Sequence, residues 1–134
     1  MNRTKAREYA FILLFEYRFQ PEEIGAILER FDEEYNPDTQ KEYIEDVVLG
    51  AARDIAEIDA AINGVSDRTI QRMSYVCAAV LRLAVYEITR RDDIPGMVSL
   101  NEAVSLAKKY DGEEAAPFVN AVLDKIIKAQ AAKI

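Results

Sequence analysis

The stretch MSYVCAAVLRLAVYEI, residues 73–88, constrains the rest of the chain more than any other. Met73, Val76, Cys77, Val80, Leu81, Ala84 and Ile88 follow the i, i+3, i+4 spacing of an α-helix. Its other faces are scarcely more polar: Ser74, Arg82 and Glu87 are the strongly polar interruptions. A helix that is apolar nearly all round must be buried nearly all round. It is also too short and too charged for a bilayer span, which needs about 20 apolar residues. The pattern therefore predicts a central helix wrapped by others. Arg82 shares a stripe with Tyr75, Ala79 and Tyr86. A permanently charged guanidinium there needs a structural partner or an opening to solvent, and the residues alone leave both readings open.

A chain of 134 residues fits one domain, residues 1–134, and a domain of this size buries roughly two-thirds of its unfolded surface. The single cysteine rules out an internal disulfide, and Cys77, mid-helix among apolar neighbours, reads as a small core residue. With no histidine and no CxxC, a His/Cys zinc site and a His-based triad are excluded. The five glycines are scattered, so there is no phosphate-cradling loop. Carboxylates are plentiful, but no pair is placed by sequence in a pocket. We expect no catalytic residues, metal or cofactor, and a protein that is not an enzyme. YAFILLF near the N-terminus sits inside a charged helical pattern and lacks the form of a signal peptide, so the expected location is cytoplasmic, away from the membrane.

The net charge of −7 argues against indiscriminate nucleic-acid binding, but its distribution is uneven. Residues 1–18 carry 4 basic and 2 acidic groups, net +2, and residues 68–91 carry 5 and 1, net +4. Residues 19–67 carry 3 basic and 14 acidic groups, net −11, and residues 92–134 carry 5 and 7, net −2. If the two basic segments meet in space, they make a local positive patch on an acidic body.

Asn2 to Arg18 reads as the first helix. Ala6, Tyr9, Ala10, Leu13 and Tyr17 share an arc of about 100° at helical spacing, the expected core face. Phe11 and Phe15 fall on roughly the opposite side, beside Arg7 and Arg18. That combination suits stacking on bases with phosphate neutralisation, and suits equally a helix sandwiched between two others. Arg3, Lys5 and Arg7 crowd the helix start, where cations oppose the macrodipole, as a site for an anionic partner would. Pro21 opens a short second helix to about Phe31. A third, capped by Asp38, runs to about Ile62 with a bend near Gly50, and Asn63-Gly64 stops it. Ser66 or Asp67 caps a short segment before the central helix. Ser99-x-x-Glu102 is a capping-box pattern for the next helix, which ends at Lys108-Lys109-Tyr110 and Gly112. A last helix begins near Pro117 and frays near Lys133. The expected fold is all-α, a single domain of about seven helices.

Several of these pieces together resemble one family. They are Ala6-Arg7-Glu8, then Val80-Leu81-Arg82-Leu83-Ala84-Val85-Tyr86-Glu87, then Ile94-Pro95. Leu100-Asn101-Glu102-Ala103-Val104 follows, with Leu106-Ala107-Lys108 and Tyr110, and last comes Phe118-Val119-Asn120-Ala121-Val122-Leu123-Asp124. In this order and spacing, across nearly the whole chain, they resemble the NusB family of transcription antitermination factors. The resemblance implies a NusB-like fold of two small helical subdomains. It implies binding to boxA-type single-stranded RNA together with the ribosomal protein NusE, within an antitermination complex on RNA polymerase. Carried over position by position, it makes Arg3, Lys5, Arg7, Phe15, Arg82, Tyr110, Glu114 and Phe118 the RNA-binding residues. Joined to the charge pattern, it predicts one strip in which Arg3, Lys5 and Arg7 lie alongside Arg82, with Phe15 and Tyr110 nearby. Asn101 and Asn120 match family asparagines and are expected to pack or cap helices rather than touch RNA.

The chain departs from the family pattern in places. Thr4 interrupts what is often a run of arginines, Arg68 stands where a tryptophan is common, Ala121 replaces a usual glycine, and Cys77 and Ala78 replace residues often charged. These changes bear on RNA affinity rather than fold. Two alternatives follow: a helical protein-interaction module with little RNA binding, and a stand-alone relative of the NusB-like domain of rRNA methyltransferases, against which the absence of a catalytic domain in this sequence argues. Some relatives self-associate, so the resemblance also leaves a homodimer open.

Overall fold

A computed structural model of the chain describes residues 1–20 and 23–133. Among the described residues, seven α-helices run in the order α1 (Arg3–Phe19), α2 (Ile24–Tyr35), α3 (Lys41–Arg53), α4 (Ile55–Val65), α5 (Tyr75–Arg90), α6 (Gly96–Asp111) and α7 (Ala115–Ala132). Short 3-10 turns lie at Asp38–Gln40 and Ile70–Arg72, and the described residues contain no strand. The all-α class and the number of helices are as expected. The predicted opening of the second helix at Pro21 lies outside the described residues.

The central helix is α5. Ser74 caps it: its Oγ accepts a hydrogen bond from the Cys77 N–H at 3.0 Å. From Cys77 to Glu87 every residue except Arg82 is buried. The helix packs against α1, α3, α4, α6 and α7. On one side α1, α2 and α3 pack on one another; on the other α6 packs on α7, with α4 touching both α5 and α7. These are the two helical lobes expected.

Several local expectations fail for physical reasons. The third helix is two, α3 and α4, broken at Asp54 rather than bent at Gly50. Gly50 is needed instead for close approach: the Tyr86 ring of α5 occupies the space where a Cβ would be. Asp38 is not a cap, since α3 begins after the 3-10 turn and its first residue is preceded by Gln40. The Asn63 side chain, rather than Ser66 or Asp67, receives the Ile70 N–H at 2.8 Å. Ser99 is not an N-cap either. Pro95 precedes α6, and Ser99 lies one turn inside it, buried. Gly112 does end α6 as predicted, with φ 95° in the region that favours glycine.

Candidate nucleic-acid interface

Three basic residues at the start of α1, spaced two apart, point to three different places. Asn2 caps the helix by accepting the Lys5 N–H at 2.8 Å, which fixes their directions. Arg3 turns toward α3, where its Nε donates to Gln40 Oε1 at 2.7 Å and its guanidinium lies 4.3 Å from the Tyr43 ring centre. Arg7 turns inward. Its Nε donates to Glu87 Oε2 at 2.8 Å, and a second nitrogen lies 3.3 Å from Glu102 Oε1. The hydroxyl of Tyr43 donates to the same Glu87 oxygen, and Ser99 Oγ donates to Glu87 Oε1 at 2.8 Å. Burial opposes the charge on Arg7, but the hydrogen bond and charge of Glu87 outweigh it and hold the guanidinium above its usual pKa. Burial, followed by the Glu87 charge, raises the Tyr43 hydroxyl far above its ordinary range. This network ties α1, α3, α5 and α6 together at the centre of the fold.

Only Lys5 of the three is exposed, and it faces α6. Its Nζ lies 3.0 Å from Glu8 Oε1, while Lys109 and the Tyr110 hydroxyl, from α6, both donate to Glu8 Oε2. The hydrogen bond from Lys109 is the largest influence on the Glu8 carboxyl; with those from Tyr110 and Lys5 it overcomes the opposing effect of burial and lowers the pKa to about 2. From this cluster an aromatic ladder runs along α1. Tyr110 meets Phe11 with centroids 5.0 Å apart, Phe11 meets Phe15 at 6.3 Å, Phe15 meets Phe19 at 5.0 Å, and Phe19 meets Tyr75 of α5 at 5.0 Å. Phe11 is buried, so at that position α1 is sandwiched, whereas Phe15 is half-buried. The expected core residues Tyr9 and Tyr17 are also only half-buried, because α1 turns Phe11 and Leu14 inward as well as Ala6, Ala10 and Leu13.

Beyond the ladder, a recess of about 180 Å³ opens between the starts of α5 and α7. Arg68, Met73, Ser74, Cys77, Asp111, Glu114, Ala115 and Phe118 line it. The Arg68 guanidinium stands 4.3 Å over the Phe118 ring, and Ser74 Oγ donates to Asp111 Oδ2 at 2.9 Å. Burial, reinforced by Asp111, pushes the Cys77 thiol up to about 11, so it remains a neutral core group.

Lys5, Phe15 and Tyr110 therefore share one face, with Glu114 and Phe118 at the neighbouring recess. Arg3 lies toward α3, Arg7 is inside, and Arg82 is elsewhere. Arg82 makes a bidentate pair with Asp59 of α4 at 2.8 and 2.9 Å, with 12% of its side chain exposed. It sits five residues from Glu87 on α5, about 140° round the helix. The single strip with Arg82 beside Arg3, Lys5 and Arg7 does not form. Helices α1 and α5 do pack together, but the positive charge of residues 68–91 is largely met by acidic α3 and α4. Arg90 pairs with Asp54 and Glu57, and Arg91 with Glu42 and Asp46. Asn101 and Asn120 are exposed within their helices, so neither packs nor caps. Sequence reasoning missed Lys109 and Phe19 as members of the face. Phe19 was findable, because it continues Phe11 and Phe15 at i+4.

Fold and surface define an all-α protein of two helical lobes around one buried helix, with a face of exposed cations and aromatic rings carried by α1 and α6. The chain belongs to the NusB family, whose model matches residues 4–128. It is 42% identical to the transcription antitermination protein NusB of Acetivibrio thermocellus, over 97% of this chain and 91% of that one. Among solved structures it is similar to T. maritima NusB, with TM-score 0.89 and 36% identity over 99% of this chain and 95% of that one. It is also similar to a chain from a crystal structure of the antitermination factors NusB and NusE with double-stranded RNA. The TM-score there is 0.86, with 35% identity over 95% of this chain and 96% of that one.

Proposed function

We propose that this protein is a non-enzymatic transcription antitermination factor. In this reading it acts in the cytoplasm as a single RNA-binding domain, holding boxA-type single-stranded RNA together with NusE for an antitermination complex on RNA polymerase. The observation that carries the reading is the likeness, over nearly the full chain, to NusB in a solved complex with NusE and RNA. The surface supports it. Exposed Lys5 and Lys109 offer charge to phosphates, half-buried Phe15 and exposed Tyr110 offer rings to bases, and Phe118 beside Arg68 offers a second stacking point. Lys5 and Lys109 are exposed and meet Glu8 only through their side-chain ends, so they can turn to phosphate without unfolding the helix. Arg7 supports the face from behind through Glu87 and Glu102, Arg3 flanks it on the α3 side, and Arg82 is held away from it by Asp59.

The test is a gel shift of boxA-like RNA with wild-type protein and with a Lys5→Ala/Tyr110→Ala variant, each with and without NusE. The reading expects a shifted species with wild-type protein and NusE, and a weaker one with the variant. No RNA binding under any of these conditions would favour the protein-interaction alternative.

A further inference from the structure

We infer that Phe19 and Tyr75, with Arg18, form a stacking platform for an unpaired nucleobase of single-stranded RNA, outside the residues the family resemblance assigns. The inference rests on the RNA-binding reading and extends it to a new place on the surface. Phe19 and Tyr75 are 53% and 52% exposed, two of the three large apolar side chains more than half exposed among the described residues. They come from the end of α1 and the start of α5, and meet edge to face at 88° with centroids 5.0 Å apart. With Phe15 packed on Phe19 and Arg18 over Tyr75, each ring is still more than half exposed, so π-surface remains open to a flat ligand.

Two features favour a base over another occupant. The Arg18 guanidinium lies 5.2 Å from the Tyr75 ring centre, on an exposed side chain that pairs with no carboxylate among the described residues. A cation beside half-exposed rings is the combination that binds single strands, the ring taking the base and the cation the phosphate. The pair is also continuous with the proposed RNA face at both ends. Phe15 joins it to Phe11, Tyr110 and the two lysines; Ser74, next to Tyr75, borders the recess of Arg68 and Phe118. Phe19 and Tyr75 therefore extend the run of contacting rings that begins at Tyr110 toward the rim of the recess that holds Phe118.

The chain contains no tryptophan, so a Tyr75→Trp variant carries a single reporter. With NusE present and RNA binding followed separately by the anisotropy of labelled boxA-like RNA, its fluorescence should be quenched as RNA saturates. A Tyr35→Trp control, 45% exposed on α2, should not respond. The double variant Phe19→Ala/Tyr75→Ala should bind RNA roughly 5- to 150-fold more weakly per lost stacked base, with the salt dependence unchanged. RNA binding without quenching, or wild-type affinity in the double variant, overturns the platform and leaves the wider reading standing. Loss of NusE binding instead of RNA binding assigns the pair to a protein contact and also overturns it. No RNA binding by the wild-type protein with NusE defeats both.

Discussion

Arg7 and Glu87, 80 residues apart in sequence, meet at 2.8 Å with 4% and 0% of their side chains exposed. A buried charge pair of this kind gains little net stability over an apolar pair of the same shape, but losing one partner leaves the other unpaired at full desolvation cost. Glu87 also has Tyr43 and Ser99 to satisfy it, so the pair sits in a network with each carboxylate oxygen engaged.

Removing one partner should therefore be severe. Arg7→Ala and Glu87→Ala are each expected to lose about 3–5 kcal/mol of stability in urea denaturation. An Arg7→Met/Glu87→Leu double variant is expected to recover part of that loss. Two single variants that melt like the wild type would show that the pair is not closed in solution.

Leu81 tests the packing around the same helix. It is fully buried on α5, and Leu81→Ala should cost about 2–5 kcal/mol, as large-to-small core changes do. The check is the midpoint of thermal or urea unfolding, with an unchanged midpoint as the contrary result.

Much of the fold is legible in the sequence because burial leaves a period. The apolar spacing of residues 73–88 marks α5, and the Lys-Lys-Tyr followed by Gly112 marks the end of α6. What the sequence hides is which polar residue faces inward. Arg82 draws attention on an apolar helix, yet it reaches the surface beside Asp59, while Glu87, one residue from Tyr86, is the group without solvent. Its partner lies 80 residues away, and no local spacing announces it. The same network disguises itself as a capping box. Ser99 and Glu102 have the right interval, but one donates to Glu87 and the other receives Thr4 and Arg7. Likewise Arg3, Lys5 and Arg7 read as one cluster along the chain, and only three-dimensional neighbours separate the exposed lysine from the buried arginine.

Glu8 should link acid stability to the RNA face. Its folded pKa is depressed from 4.5 to about 2, so the stability it contributes is present above pH 4.5 and is lost as pH falls toward 2. Wild-type protein should lose more stability between pH 5 and pH 2.5 than a Glu8→Gln variant, measured by urea midpoints at each pH. The same variant releases Lys5 and Lys109 from a carboxylate, so at neutral pH it should bind RNA with NusE more tightly at low salt. Parallel acid profiles for the two proteins would remove Glu8 from the account.

Arg82→Ala separates support from contact. The Arg82–Asp59 pair is partly buried, so the variant should unfold earlier than the wild type. Where it is still folded, its RNA binding with NusE should show the wild-type salt dependence, since Arg82 lies away from the face. Normal melting combined with a flattened salt slope would return Arg82 to the RNA ligands.

The central claim is that the exposed cations of α1 and α6 hold RNA phosphates while Arg7 does not. It is tested most directly by the salt dependence of boxA-like RNA binding to the complex with NusE, comparing wild type with Lys5→Ala/Lys109→Ala. Each phosphate contact on a single strand contributes about −0.7 to the slope of log affinity against log salt. The account predicts weaker binding and a slope flatter by about 1.4 for the double variant if each lysine meets one phosphate, with the fold intact by circular dichroism. Wild-type affinity and an unchanged slope would contradict it.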